Sequence, residues 1–144
     1  MIAIGNDHGG YALKQEICSY LDAQKIPYKD FGCNNVNSVD YPDIAKPLAE
    51  AVAKGEYTQG ILLCGTGIGI SIAANKVKGI RAACCSDCYS AKLTRQHNDA
   101  NILCMGGRVV GGGLAIMMVD LFLNTPFEGG RHQERINKIT SMEK

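Results

Sequence analysis

Residues 61–76 read ILLCGTGIGISIAANK, and this stretch changes character twice. The short apolar run ILLC is typical of a buried strand, whereas ISIAANK has the composition of a helix. The glycines between them let the backbone approach a ligand closely, and the first amides of the helix point toward any negative charge there. The stretch therefore predicts a strand, an anion-binding loop and a helix in direct succession.

The same alternation of short apolar runs and longer helical periods extends along the chain. The runs typical of strands are IAIG, YKDF, GILLC, RAACCS and NILCMGG, with helical segments between them. Such alternation with short connections predicts a parallel sheet that is covered by helices on both faces and joined by right-handed crossovers. We therefore predict an α/β fold in which residues 1–144 form a single three-layer α/β/α Rossmann-like domain with a five-stranded parallel sheet.

Composition limits the classes of function. The 15 Lys and Arg residues nearly balance 14 Asp and Glu residues, so the net charge of +1 provides no broad field for nucleic acid or anionic lipid. Charged residues such as Asp7 and Asp120 interrupt the apolar runs before they reach the length of a membrane span. Seven cysteines without a secretory signal indicate buried thiols in a reducing compartment. We expect a cytoplasmic protein with no nucleic-acid or membrane partner.

Cys64 lies where the third predicted strand meets the glycine loop. The loop matches neither a Walker A motif nor the dinucleotide fingerprint, which weakens a nucleotide interpretation. Helix amides here favour the thiolate, which could act as a nucleophile toward an acyl substrate or as a base toward an acidic carbon proton. The flanking amides suit the oxyanion that a base would create. The simplest alternative is an ordinary buried cysteine at the end of a strand.

Charged side chains near the same edge of the sheet are candidate ligands for an anion. Asp7 and His8 follow the first strand, where ligands of parallel sheets bind; the alternative is a capping aspartate and a solvent-exposed histidine. Arg108 lies in the glycine-rich loop after the last strand, and Arg131 and Arg135 share one helix face. Guanidinium groups bind phosphate through forked donors, although a solvated charged helix explains the last two arginines equally well.

His97 and Asn98 end a predicted helix and precede the last strand, which puts them at the opposite edge of the sheet. A strand of ~5 residues spans ~17 Å, so His97 is too far from the Cys64 loop of its own chain. If both side chains act on one substrate, a second subunit must bring them together. We therefore predict a symmetric homodimer with shared sites.

Cys85 and Cys88 form a C-x-x-C, which raises metal binding and thiol redox chemistry as alternatives. No second pair with ligand spacing accompanies it, and cysteines in a predicted strand pack well as small apolar residues. We predict no metal site. The redox alternative predicts an activity that depends on these two thiols.

Five segments, taken together and in this order, resemble one known family. They are GNDHGG, DYPD, CGTGIGISIAANK, RQHNDANILCMGGR and GGRHQERINKI, and they extend over essentially the whole chain. The chain is similar in them to the ribose-5-phosphate isomerase B family, which includes galactose-6-phosphate isomerase subunits. The resemblance implies interconversion of phosphorylated aldoses and ketoses without a metal or organic cofactor. It also implies dimers whose active sites lie at the subunit interface.

The resemblance implies a role for each matching residue. Cys64 corresponds to the base that moves a proton between C1 and C2, and Thr66 to a residue that shifts a proton between the two sugar oxygens. His97 corresponds to the residue of the neighbouring subunit that opens the furanose ring by protonating its ring oxygen. Some relatives carry a glutamate base where this chain has Ser71, so the chain resembles the cysteine type. The matches that contact the enediolate, sugar or phosphate are Asp7, His8, Gly65, Thr66, Gly67, Ile68, Gly69, Asn98, Arg108, Arg131 and Arg135.

The reaction expected from this resemblance converts D-ribose 5-phosphate into D-ribulose 5-phosphate, through ring opening and an enediolate, in the pentose phosphate pathway. Allose 6-phosphate and galactose 6-phosphate are alternative substrates, and a non-catalytic phosphosugar-binding module is an alternative of another class. The presence of Cys64, Thr66, His97 and Asn98 in one chain favours a self-sufficient homodimer, with a tetramer left open. The last helix, predicted at about 131–142, is expected to contribute to phosphate binding and to the dimer.

Overall fold

The computed structural model describes residues 1–143, and its centre is a parallel sheet of five strands. The strands are β1 Ile2–Asn6, β2 Tyr28–Asp30, β3 Gly60–Cys64, β4 Ala82–Cys84 and β5 Ile102–Gly106. Their order is β2-β1-β3-β5-β4, and every pairing between them is parallel. The predicted five-stranded parallel sheet is confirmed, although β2 and β4 are shorter than the sequence runs YKDF and RAACCS.

Six α-helices of the described chain cover the sheet. They are α1 Tyr11–Ala23, α2 Tyr41–Ala53, α3 Ile68–Ala74, α4 Cys88–Asn98, α5 Gly112–Asn124 and α6 Arg131–Thr140. Helices α1, α4 and α5 pack on one face of the sheet and α2 and α3 on the other, whereas α6 packs against α4. The predicted three-layer α/β/α arrangement is confirmed. The last helix ends at Thr140 rather than near residue 142.

The central strands are apolar because both of their faces are covered. All five residues of β3 are buried. Ile61 and Leu63 belong to the core under α1, α4 and α5, and Leu62 and Cys64 to the core under α2 and α3. The Cys64 side chain therefore leaves the sheet on the face that α2 and α3 cover.

The order of the strands changes direction between β1 and β3, and this position opens a crevice. The helices that follow these two strands, α1 and α3, leave on opposite faces, which is the arrangement in which parallel sheets bind ligands. The strand register places Asn6 beside Leu63 and Cys64 beside Gly106. The carboxyl ends of β1, β3 and β5 therefore form one edge.

The helices differ from membrane-spanning segments. None of those formed by residues 1–143 has both the length and the apolar character that crossing a membrane requires.

Candidate active site

Cys64 is the last residue of β3, and only 4% of its surface is exposed. The backbone N–H of Gly67 donates a hydrogen bond to its sulfur at 3.1 Å. The Cys64 carbonyl accepts a hydrogen bond from the Gly107 N–H at 2.8 Å, which joins the end of β3 to the loop after β5. The end of β3 thus holds a buried thiol whose sulfur accepts a hydrogen bond from the glycine loop.

The conformation of Gly67 directs this amide at the sulfur. Its φ of +82° lies in the left-handed region, and a Cβ atom there would lie 2.7 Å from the carbonyl carbon of Met105. The loop therefore packs directly on the end of β5. Thr66 is exposed beside it, and its Oγ1 accepts the Ile68 N–H at 3.2 Å where α3 begins. Because a hydroxyl both accepts and donates, the Thr66 hydroxyl hydrogen is free for a ligand.

Arg108 lies at the rim of the same loop. Its backbone N–H donates to the Gly65 carbonyl at 3.0 Å, and its Nη1 atom lies 3.3 Å from the position a Gly65 Cβ would take. The side chain is exposed, and no carboxylate within residues 1–143 forms an ion pair with it. On the other side of the loop, the Tyr41 ring packs on Gly69. The guanidinium group is thus available to an anion.

Asp7 and His8 follow β1 at the same edge. Asp7 is buried, and its Oδ1 atom accepts the Gly9 N–H at 2.8 Å, so the capping role that the sequence left as an alternative is real. His8 is half-buried, and its Nδ1 atom accepts the Val39 N–H at 3.3 Å. In the neutral ring the proton must therefore be on Nε2. The imidazole can donate a hydrogen bond from that nitrogen.

A buried lysine holds the loop that contacts His8. The Lys14 ammonium group donates to Asp30 Oδ2 at 2.9 Å, to the Cys33 carbonyl at 2.6 Å and to Asn34 Oδ1 at 3.2 Å. Its side chain is 4% exposed, whereas that of Asp30 is 32% exposed. Lys14 thereby ties α1 to β2 and to the loop that continues toward His8.

The other predicted residues lie on α4 and α6. His97 and Asn98 end α4, and Arg131 and Arg135 are exposed on α6. The His97 ring stacks on the buried His132 ring, with the ring centres 4.3 Å apart and the planes 10° apart. This contact packs α6 against the end of α4.

The sheet separates the two sets of residues within one chain. Cys64 pairs in register with Gly106 at the end of β5, whereas His97 precedes the start of β5 at Ile102. Five residues of strand span roughly 17 Å. The predicted location of His97 at the edge opposite Cys64 therefore holds in the structure, and one chain does not bring Cys64 and His97 together.

Sequence reasoning missed Glu128 and His132. Glu128 Oε1 lies 3.4 Å from Nε2 of His132 and 3.7 Å from Nε2 of His97. Burial lowers the pKa of His132, and the neighbouring His97 and Arg131 lower it further, which favours the neutral ring. The available sequence signal was the spacing of four residues between Glu128 and His132. Glycines lie between them and no helix spans both residues, so this spacing does not predict a contact.

The three side chains resemble a metal site in composition but not in geometry. The donor atoms of His97, Glu128 and His132 lie within 4.8 Å of one another, and zinc accepts ligands of these types. A metal ion lies in the plane of each imidazole that binds it. Two stacked parallel rings therefore cannot hold one ion unless a ring rotates out of the stack.

Burial suppresses the thiolate form of several cysteines outside the glycine loop. All seven cysteines are free. Burial raises the pKa of Cys85 to about 11 and that of Cys104 well above its usual range, and partial burial also raises the pKa of the exposed Cys84. The Cys85 thiol of the C-x-x-C therefore stays protonated near neutral pH, which argues against the redox alternative.

Comparison with known proteins places this chain in a family. Residues 2–139 match the family model for Ribose/Galactose Isomerase. The chain belongs to the ribose/galactose isomerase family. One family member, ribose-5-phosphate isomerase B of Escherichia coli (strain K12), is 54% identical over 142 residues, which cover 99% of this chain and 95% of that protein. The family expected from the five sequence segments is thus confirmed.

Solved structures of family members agree with the fold. Ribose-5-phosphate isomerase B from Clostridium thermocellum has a TM-score of 0.97 and 55% identity, and the match covers 99% of this chain and 96% of that chain. The enzyme from Mycoplasma genitalium, which was solved with bound ribulose-5-phosphate, has a TM-score of 0.94 and 45% identity. That match covers 99% of this chain and 95% of the other.

Proposed function

We propose that this member of the ribose/galactose isomerase family interconverts D-ribose 5-phosphate and D-ribulose 5-phosphate, as an aldose–ketose isomerase of the pentose phosphate pathway in the cytoplasm. The observation that carries the proposal is the buried Cys64 sulfur, which receives an amide hydrogen bond at the crevice between β1 and β3. The name of the Escherichia coli relative and the ribulose-5-phosphate bound in the Mycoplasma genitalium structure support a five-carbon substrate.

The proposed proton transfer uses Cys64 as the base. The thiolate removes the C2 proton of the open-chain aldose, the C–H electrons form a C1–C2 double bond, and the carbonyl electrons move onto O1. The loop from Gly65 to Gly69 lines this enediolate. Its amides other than those of Gly67 and Ile68, which donate to Cys64 and Thr66, stabilise the enediolate, since fixed donors lower the energy of a developing oxyanion. Thr66 relays a proton from O2 to O1, and Cys64 returns its proton to C1. The product is the ketose, and no oxidant is required.

The proposed substrate contacts come from two subunits. Asp7, His8 and Arg108 lie at the Cys64 edge, where they contact the sugar or its phosphate. Arg131 and Arg135 of α6 are exposed, and in a homodimer they reach the same phosphate from the partner subunit. We assign to α6 a role in phosphate binding and in the dimer contact.

The homodimer follows from the separation of the two catalytic groups. His97, flanked by Asn98, is proposed to protonate the furanose ring oxygen and so open the ring before Cys64 acts. Because the two groups lie at opposite edges of one sheet, the His97 that acts beside a given Cys64 comes from the partner. Each dimer then contains two equivalent sites.

Substrate assays test the reaction. Purified protein should convert ribose 5-phosphate with a higher kcat/KM than allose 6-phosphate or galactose 6-phosphate. Cys64→Ser should bind ribose 5-phosphate with unchanged affinity and lose nearly all turnover, because a serine hydroxyl is too weak an acid to supply the anionic base. Unchanged turnover in this variant would remove Cys64 from the mechanism, and a preference for a six-carbon sugar would correct the substrate.

Mixed dimers test the shared sites. Cys64→Ser and His97→Gln subunits should each be inactive alone. After unfolding and refolding together, half of the dimers are mixed, and each mixed dimer has one site with both native groups. About a quarter of the wild-type activity should therefore return. Recovery no greater than the sum of the two separate variants, or full activity of a monomer in sedimentation, would exclude shared sites.

A further inference from the structure

Glu128 lies beside two stacked imidazoles, and one of them is the proposed ring-opening acid. Its Oε1 atom is 3.7 Å from Nε2 of His97 and 3.4 Å from Nε2 of His132. The His132 side chain is 8% exposed, whereas that of His97 is 39% exposed. The buried His132 ring thus provides a fixed surface on which the more accessible His97 ring stacks.

The backbone fixes Glu128 relative to His97. Its N–H donates to the carbonyl of Gln96, the residue before His97 on α4, at 3.1 Å. Gly129 and Gly130 follow with φ values of +71° and +58°, a backbone conformation that is unfavourable for residues with a Cβ atom. The His132 N–H then donates to the Gly129 carbonyl at 3.1 Å where α6 begins. This turn places both Glu128 and His132 against one end of α4.

One carboxylate and two arginines lie around the stack. Among residues 1–143, Glu128 is the carboxylate that lies within 4 Å of either ring. Arg131 and Arg135 add positive charge from α6. Glu128 is thus the acidic side chain that can hold the His97 ring in one orientation against the His132 ring.

We infer that Glu128 is a positioning residue for ring opening. Its carboxylate orients the His97 ring, while the His132 ring supports that ring from behind. One ring nitrogen of His97 faces Glu128, and the other is left for the sugar ring oxygen. This inference rests on the proposed function, and it assigns a role to a carboxylate that touches neither the base nor the phosphate site.

The inference predicts that Glu128 matters for a cyclic substrate and not for an open one. Ribulose 5-phosphate cannot close a furanose ring, because the hydroxyl that would close it carries the phosphate. Exchange of its C1 hydrogen in D2O therefore requires Cys64 but no ring opening. Glu128→Gln should lower kcat for ribose 5-phosphate roughly 10-fold to 100-fold, which is less than the roughly 10²-fold to 10⁴-fold of a general acid because His97 itself remains. The C1 exchange rate of ribulose 5-phosphate, followed by proton NMR, should stay within about twofold of wild type.

Control variants separate positioning from general damage. Glu134→Gln removes an exposed carboxylate from α6, the helix that follows Glu128, and should change neither rate. His132→Phe keeps a flat ring and should lose less turnover than His132→Ala. If Glu128→Gln lowers conversion and exchange equally, or leaves conversion unchanged, the inference is wrong. If the wild-type protein neither converts nor exchanges these sugars, the proposed function itself fails.

Discussion

Replacing Gly67 with alanine should both destabilise the fold and slow the reaction. The added Cβ would lie 2.7 Å from the Met105 carbonyl carbon and 3.0 Å from the Gly106 nitrogen, and backbone atoms cannot rotate away. Overpacking of this kind costs about 1–3 kcal/mol. The φ of +82° adds about 1 kcal/mol for a residue with a Cβ. We expect a total of about 3 kcal/mol, which lowers Tm by about 9 °C in a chain of this size.

Gly79→Ala is the matched control for this prediction. Gly79 has a similar φ of +88°, but its Cβ would make only an ordinary contact of 3.7 Å with Ala53. This variant should therefore lose only about 1 kcal/mol and keep full activity. Gly67→Ala should also lose turnover, because the displaced loop moves the amide that donates to Cys64. Equal Tm values for the two variants in differential scanning calorimetry would refute the steric argument.

Three further predictions concern the rest of the molecule. Asp30→Asn should cost about 2 kcal/mol in urea unfolding, because it leaves the Lys14 ammonium buried without its carboxylate; Glu50→Gln, which breaks an exposed ion pair, should cost nothing measurable. Cys85 should resist iodoacetamide at pH 8 and react only as the pH approaches the thiol pKa of about 11, as mass spectrometry of the labelled peptide would reveal. Isomerase activity should persist in EDTA, and a loss that divalent ions restore would reveal a metal requirement.

The fold could be predicted because its signals are local. Runs such as ILLC and NILCMGG are apolar throughout because both faces of a parallel strand are buried, and that pattern does not depend on distant residues. The location of His97 at the edge opposite Cys64 followed from the same logic. The short strands β2 and β4 were overestimated because they lie at the two ends of the sheet, where pairing on one side ends sooner.

The contacts around the site could not be predicted because they depend on packing between distant elements. Lys14 lies next to the apolar stripe of α1, and a lysine there is expected in solvent. It is buried because the chain returns near residues 30–34 with one carboxylate and two further oxygen acceptors. Glu128 and His132 likewise meet His97 only after α6 has packed on α4.

The unequal exposure of the cysteines has a consequence for covalent inhibitors. Cys84 is exposed, whereas Cys64 lies almost completely beneath its loop. A general maleimide-type reagent therefore reaches the Cys84 thiol more easily than the proposed base, although burial raises the pKa of Cys84. A selective compound needs a compact electrophile joined to a phosphate-like group. Arg108 at the rim of the loop then binds the phosphate-like group, which brings the electrophile to Cys64 rather than to Cys84.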